Sequence, residues 1–124
     1  MDSKKLASLC HEYADNKKAG SIVVLDVRKL SSVTDYFVIC TGLSEPHVRS
    51  IVREISDELR EKHDERARVS DGTEKATWVV LDYFDVIVHV MRADVREQYN
   101  LEALWGDAAP VKPRKKAVRK LKES

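Results

Sequence analysis

The chain has 124 residues, of which 43% are hydrophobic and 35% are charged, and its formal net charge is +1. A chain of this length forms one domain and buries roughly two-thirds of its unfolded surface, so its core requires neither a metal nor a disulfide. No apolar run reaches the roughly 20 residues that cross a bilayer. The N-terminus, MDSKKLASLC, also lacks an apolar stretch of signal-peptide length. We therefore expect a cytoplasmic protein.

The basic residues are distributed unevenly along the chain. Residues 112–122 contain seven of the 22 lysines and arginines, and of the 21 acidic residues only Glu123 lies beyond them. Residues 1–111 therefore carry 15 basic and 20 acidic side chains, a net charge of −5. We expect one domain over residues 1–109 and a basic tail over 110–124 that is disordered on its own. The acidic body favours a basic protein partner, and the tail favours phosphate.

The first half of the chain predicts two helices and two strands. Apolar residues at helical spacing follow Asp2 and Ser3, either of which can cap a helix that Gly20 would end. Continuous runs of branched apolar residues over 22–27 and 35–41 predict two strands. A second helix is expected to begin at Ser44 and Pro46 and to run to about His63. A cap residue followed by an early proline is typical of a first turn.

The second half predicts a hairpin followed by a helix. Residues 68–70 are compatible with one short strand, and residues 77–81 and 86–91 form two stronger strand patterns. A four-residue connection between the stronger pair favours an antiparallel hairpin. Apolar residues at helical spacing over 94–105 predict a last helix that Gly106 closes. The expected fold class is α/β (α+β), a mixed sheet of about five strands flanked by helices.

The carboxylates near strand ends leave one enzymatic hypothesis open. Asp26, Asp35, Asp82 and Asp85 are compatible with a divalent metal and phosphoryl transfer, as in a metal-dependent nucleotidyltransferase. Those enzymes place an Asp-x-Asp or Asp-x-Glu on a strand about a dozen residues after a Gly-Ser or Gly-Gly turn. Here Gly42-Leu43-Ser44 is followed by a helix pattern and by no such pair at that distance. The pattern therefore favours a protein that is not an enzyme.

The cysteines and histidines show no spacing typical of a metal site or of a nucleophile. Cys10 and Cys40 fall in apolar segments without a CxxC partner, so we interpret both as buried hydrophobic residues. The four histidines are scattered, and neither HExxH nor GxSxG occurs. We predict no metal and no cofactor. His89 interrupts an apolar strand, either as an outward-facing residue or as a contact in a binding patch.

The predicted hairpin is apolar on both faces. Trp78, Val80 and Asp82 share one face of its first strand, and Ile87 and His89 share one face of its second strand. Either the chain's own helices or a partner protein must cover the second face. Aromatic residues concentrate in this half of the chain, which favours a protein interface.

Three ordered segments together resemble one protein family. They are LDVRKLSSVTDYFVICTGLSEPHVRSI (25–51), WVVLDYFDVIVHVM (78–91) and REQYNLEALWGDA (96–108). The chain resembles the ribosomal silencing factors, or Iojap-like proteins, over about residues 5–108. The resemblance implies a nucleotidyltransferase-like fold without catalytic residues. Where relatives often have glycine in the hairpin turn, this chain has Phe84, which leaves the turn type open and adds an exposed apolar contact.

The resemblance also implies a partner and a role. Members of the family bind large-subunit ribosomal protein 14, block joining of the two subunits and repress translation in starvation or stationary phase. Organellar relatives act in assembly of the large subunit, which is an alternative role. Matching positions place the ribosomal-protein contact at Trp78, Asp82, Tyr83, Asp85, His89, Tyr99, Leu101, Leu104 and Trp105. For Leu104 and Trp105, packing of the last helix on the sheet is the alternative.

Two further expectations concern the tail and the free protein. We expect the tail to contact ribosomal RNA through its basic side chains. These are Lys112, Arg114, Lys115, Lys116, Arg119 and Lys120. A plain nucleic-acid-binding module that works through this tail is a third hypothesis. When free of the ribosome, the chain is expected to form a homodimer through the apolar hairpin.

Overall fold

The computed structural model describes residues 1–71, 77–100 and 109–110, which contain three helices and six strands. The helices are α1 (Ser3–Asn16), α2 (Glu45–His63) and α3 (Ala93–Tyr99). The strands are β1 (Gly20–Asp26), β2 (Tyr36–Gly42), β3 (Arg68–Asp71), β4 (Trp78–Asp82), β5 (Val86–Arg92) and β6 (Ala109–Pro110). The mixed α/β fold expected from the sequence is confirmed. No helix of this described part is long and apolar enough to span a bilayer.

The strands form one sheet in the order β3-β4-β5-β2-β1-β6. At its centre β2 and β5 run parallel, with Tyr36 beside Val86 at one end and Gly42 beside Arg92 at the other. All other neighbours are antiparallel, including the predicted β4–β5 hairpin. A parallel pair requires a crossover connection, and α2 lies in the segment between these two strands.

The helices α1 and α2 cover one face of the sheet, which we call the helix face. Its side chains from β2, β4 and β5 are at most 5% exposed. They are Tyr36, Val38, Cys40, Val79, Leu81, Val86, Val88 and Val90. They pack against buried residues of both helices, among them Leu6, Cys10, Ile51 and Ile55. This face is the main core, and burial of these apolar side chains is the dominant stabilising term.

Local hydrogen bonds account for the helix boundaries. Asp2 is the N-cap of α1, and its Oδ1 accepts from the Lys5 backbone N–H at 2.7 Å. The helix ends at Asn16, before the expected Gly20, because Lys18 adopts a positive φ of 60°. The α2 helix begins after the Ser44 cap, as predicted.

His47 joins the two large helices, a role that the sequence did not reveal. Its Nδ1 accepts from the Leu43 backbone N–H at 2.8 Å, and its Nε2 lies 2.7 Å from the Lys17 carbonyl oxygen. Because Nδ1 accepts, Nε2 carries the proton and donates to that carbonyl. The side chain therefore connects the end of α1 to the start of α2.

Two predictions about the C-terminal part are wrong in detail. The last helix ends at Tyr99 because Asn100 adopts a left-handed conformation with φ of 35°, a common way to end a helix. The remainder of the predicted helix, residues 101–105, lies outside the described residues. The sheet also has an unpredicted sixth strand at residues 109–110, which pairs with Leu25 and Asp26 of β1. This strand spans the predicted boundary between the domain and its tail.

Candidate functional site

The sheet face opposite α1 and α2 contains a group of half-buried, mainly apolar side chains. They are Phe37, Trp78, Val80, Ile87 and His89, and we call this group the open face. Strand register places Val80 beside His89 and Phe37 beside Ile87, so these residues form a continuous surface over β2, β5 and β4. The same two hairpin strands are almost fully buried on the helix face, so the hairpin is covered unequally on its two sides.

Trp78 and His89 are hydrogen-bonded to each other within the open face. The indole Nε1–H of Trp78 donates to Nδ1 of His89 at 3.1 Å. The Phe37 ring packs edge-on against the imidazole, with ring centroids 5.5 Å apart. Burial lowers the pKa of His89 from 6.5 to about 4, so the imidazole is neutral at physiological pH. Because Nδ1 accepts a hydrogen bond, the proton is on Nε2. His89 is therefore a neutral contact residue and not a cation.

The hairpin turn carries two carboxylates at one end of the open face. Asp85 is exposed, and Asp82 is half-buried on the same side of β4 as Trp78. The Oδ1 atom of Asp82 accepts from the Phe84 backbone N–H at 2.8 Å. Phe84 is 82% exposed and has a φ of 81°. The turn therefore adopts a positive φ, which glycine would adopt freely, and it does so with a phenylalanine.

Tyr83 points away from this surface. It is 6% exposed and belongs to the core of the helix face, and its hydroxyl makes no hydrogen bond to any residue that the structure describes. Burial raises the pKa of Tyr83 above its ordinary value of 10.0. Tyr83 follows Val79 and Leu81 on the helix face, so its side chain, predicted as a partner contact, is buried in the core in this conformation.

The short helix α3 is attached beside the open face. Arg96 donates from Nη1 to the Ser21 carbonyl oxygen at 2.5 Å and to Thr41 Oγ1 at 2.9 Å. Val95 packs against a second apolar cluster that includes Ile39 and Met91, both fully buried. The helix thus covers one part of the sheet face that contains the open face.

Several residues predicted for the site lie outside the described part of the structure. The backbone of Tyr99 ends α3, but its side chain is outside, as are Leu101, Leu104 and Trp105. The basic tail side chains are outside as well. They are Lys112, Arg114, Lys115, Lys116, Arg119 and Lys120. Of the nine predicted contact residues, Trp78 and His89 contact each other, and Asp82 and Asp85 lie near the turn end of the same hairpin.

Three of the four carboxylates named for a metal site, Asp26, Asp35 and Asp82, accept hydrogen bonds from other groups of the chain. Asp26 forms a two-point ion pair with Arg28, at 2.6 and 2.9 Å, and this hydrogen bonding lowers the pKa of Asp26. Asp35 accepts from Ser3 Oγ at 2.8 Å, a bond that ties the entrance of β2 to the start of α1. Within residues 1–71, 77–100 and 109–110, no group of three His, Cys, Asp or Glu side chains is arranged to hold a metal ion.

Sequence reasoning missed the contribution of Phe37 and emphasised the hairpin alone. The parallel pairing of β2 with β5 brings Phe37 beside Ile87. Such pairing joins segments far apart in the chain, and local periodicity does not encode it. In the structure Phe37 is half-buried between buried Tyr36 and Val38, but the sequence is apolar throughout this strand and carries no alternation that would assign its two faces.

Comparisons with known proteins agree with this architecture. A family model described as a ribosomal silencing factor during starvation matches residues 1–124. The ribosomal silencing factor of Bacillus subtilis is 42% identical over 108 residues, covering 87% of this chain and 91% of that protein. The mouse protein named for mitochondrial assembly of the ribosomal large subunit is 30% identical over 108 residues, covering 85% of this chain and 45% of that protein.

A solved structure has the same fold. The crystal structure of a Chromobacterium violaceum protein matches with a TM-score of 0.78 and 30% identity, covering 96% of this chain and 98% of that one. The family model spans the whole chain, and the Bacillus subtilis relative matches over nearly its full length. The chain belongs to the ribosomal silencing factor family.

Proposed function

We propose that this protein binds the large ribosomal subunit through the open face, with large-subunit ribosomal protein 14 as its partner. In this proposal it acts in the cytoplasm without catalysis. The bound chain blocks joining of the small subunit by occupying space, and translation falls in starvation or stationary phase. The observation that carries the proposal is the unequal cover of the β4–β5 hairpin, sealed on the helix face and half-buried on the open face. Apolar and aromatic side chains at such a surface are typical interface anchors.

Electrostatics favour a cationic protein as the partner. Asp82 and Asp85 lie at the hairpin turn, and residues 1–111 carry a net charge of −5. Proteins that coat ribosomal RNA are basic, so opposite charge would steer the encounter and select the partner. Since the pKa of His89 is about 4, the centre of the surface adds no positive charge at neutral pH.

Val80 offers a cleaner test of the surface than Trp78. A Trp78→Ala change would also leave Nδ1 of His89 unpaired, whereas Val80 contributes only apolar area. Val80→Lys places a cation opposite a basic partner, and we expect the Kd for the large subunit to rise about thirtyfold, which corresponds to about 2 kcal/mol. Leu43→Lys is the matched control, because Leu43 is 81% exposed beyond the opposite end of β2.

The readout is co-sedimentation with separated large subunits, followed by formation of complete ribosomes. The parent protein and Leu43→Lys should both prevent subunit joining, and Val80→Lys should permit it. Equal binding by Val80→Lys and the parent would place the contact elsewhere on the molecule. Binding without any effect on subunit joining would favour the alternative role in large-subunit assembly, which the name of the mouse relative also supports.

The proposal includes the basic tail as a contact to ribosomal RNA. Phosphate contacts make affinity depend on salt, because each neutralised phosphate releases condensed counterions. Removing residues 112–124 leaves β6 in place and deletes all seven clustered basic side chains. We expect the shortened chain to bind the large subunit with a shallower dependence on salt. An unchanged salt slope would remove RNA from the proposal, and loss of all binding would favour a plain nucleic-acid-binding module.

Two remaining parts of the proposal concern the free protein and the absence of catalysis. The half-buried apolar hairpin is a suitable dimer surface, so we propose a homodimer in free solution that competes with ribosome binding. Sedimentation equilibrium of the parent and of Val80→Lys tests this directly.

A rise in melting temperature with a nucleotide and Mg²⁺ would instead support the transferase hypothesis. The local bonds of Asp26 and Asp82 argue against it.

A further inference from the structure

Phe84 combines two unfavourable features at the tip of the β4–β5 hairpin. Its side chain is 82% exposed, the largest exposed fraction among the large hydrophobic residues of the described part. Its backbone has a φ of 81°, a conformation that a residue with a β-carbon resists and glycine adopts freely. Glycine at this position would relieve both the strain and the exposure of the ring.

Hydrogen bonds on every side hold the turn in this conformation. The Asp82 carboxylate accepts from the Phe84 N–H at 2.8 Å, and the Tyr83 carbonyl accepts from the Asp85 N–H at 3.0 Å. The Tyr83 N–H donates to the Val86 carbonyl at 2.9 Å and closes the hairpin. The Asp85 carbonyl accepts from the backbone N–H groups of residues 35 and 36, at 2.9 and 3.1 Å. A strained residue persists when its surroundings determine it this strongly, and such strain concentrates at functional sites.

The hairpin turn that carries Phe84 lies at one end of the open face. Asp82 pairs with Ile87 across the hairpin, and Ile87 belongs to the open face, so the turn extends this surface at one end. Carboxylates occupy the positions on both sides of the turn, at Asp82 and Asp85. A phenylalanine between two carboxylates matches an apolar pocket bordered by cationic side chains. It does not match RNA, whose phosphates the carboxylates repel.

We propose that Phe84 is a specificity residue of the docking surface, which inserts its ring into an apolar pocket with a basic rim on the ribosomal protein partner. This inference rests on the proposed function, since it assigns one residue of the same surface. The hydrogen-bonded turn holds the Phe84 backbone in one conformation, which lowers the entropy lost on binding. Strain in the free protein is then compensated by contacts that form only with the partner.

Phe84→Gly separates this role from folding. We expect its Kd for purified large subunits to rise at least about tenfold, as for loss of a hot-spot aromatic residue. Its melting temperature should equal or exceed that of the parent, because glycine relieves the positive φ. Phe84→Asn is the second variant, since asparagine tolerates a left-handed backbone and limits turn flexibility. Leu43→Ala, which removes an equally exposed apolar side chain elsewhere, should bind like the parent.

The outcomes are distinguishable. Weaker binding by both Phe84 variants, with parent-like melting and with Leu43→Ala unaffected, supports the inference. Parent-like binding by both variants, together with weak binding by Val80→Lys, overturns the inference and leaves the proposed function intact. Parent-like binding by all of them overturns both. If the Phe84 variants alter only the monomer–dimer equilibrium, the ring contacts a second copy and the inference is wrong.

Discussion

Protonation of His89 should destabilise the folded protein in acid. Burial lowers the pKa of His89 in the folded state from 6.5 to about 4. Between these two values the unfolded chain binds a proton that the folded chain does not, so stability falls as the pH decreases. The contribution of His89 is therefore fully present above about pH 6.5 and is lost progressively towards about pH 4.

The size of this effect follows from the two pKa values. At about pH 5, linkage gives a loss of about 2 kcal/mol relative to neutral pH, a large share of the stability of a small domain. Two features of the structure disfavour the protonated form of His89. The imidazolium would be desolvated on the open face, and its Nδ1 could no longer accept the hydrogen bond from Trp78.

Urea unfolding at about pH 7 and at about pH 5 measures this loss for the parent and for His89→Gln. Glutamine stays neutral, so subtracting its pH dependence removes the contributions of all other titrating groups. We expect the parent to lose about 2 kcal/mol more than the variant. A difference smaller than about 0.5 kcal/mol would refute a strongly depressed pKa and would place the imidazole in contact with solvent.

Three other outcomes follow from contacts described above. Gly42→Ala should destabilise the fold by about 1–3 kcal/mol, measured by urea unfolding, because the added methyl would lie 2.7 Å from Val48 Cγ2. Arg96→Ala should speed amide hydrogen exchange in α3, because the bonds of Arg96 to Ser21 and Thr41 hold α3 on the sheet. Exchange in α2 should not change. Unchanged protection of α3 would contradict this. Cys10 and Cys40 are fully buried and burial raises the pKa of both thiols, so a thiol reagent should label them only in denaturant.

The sequence was most informative where local signals and burial agree. Ser44 and Pro46 place the start of α2 almost to the residue, because cap preferences act within the first helical turn. The hairpin was predictable because two branched apolar strands flank a short turn. Its unequal cover was not predictable, since periodicity shows that both faces are apolar and leaves open what lies against each.

Other features depend on a single backbone conformation or on distant pairing. Asn100 ends α3 by adopting a left-handed φ, and the apolar periodicity that continues past it gives no warning. Tyr83 points into the core because it continues the alternation of buried Val79 and Leu81, which ends only at Phe84. The two-residue β6 joins β1 from more than eighty positions away, which no local pattern encodes.

That short β6 strand has a consequence for the solution behaviour of the protein. Without β6, the backbone N–H and C=O groups of Leu25 and Asp26 would lie unpaired at the edge of the sheet, and such edges pair with strands of other molecules. Pro110 suits this outermost position because it lacks an N–H with which to template a further strand. A chain cut before Ala109 should therefore aggregate by strand addition at concentrations where the same chain cut after Pro110 remains dispersed.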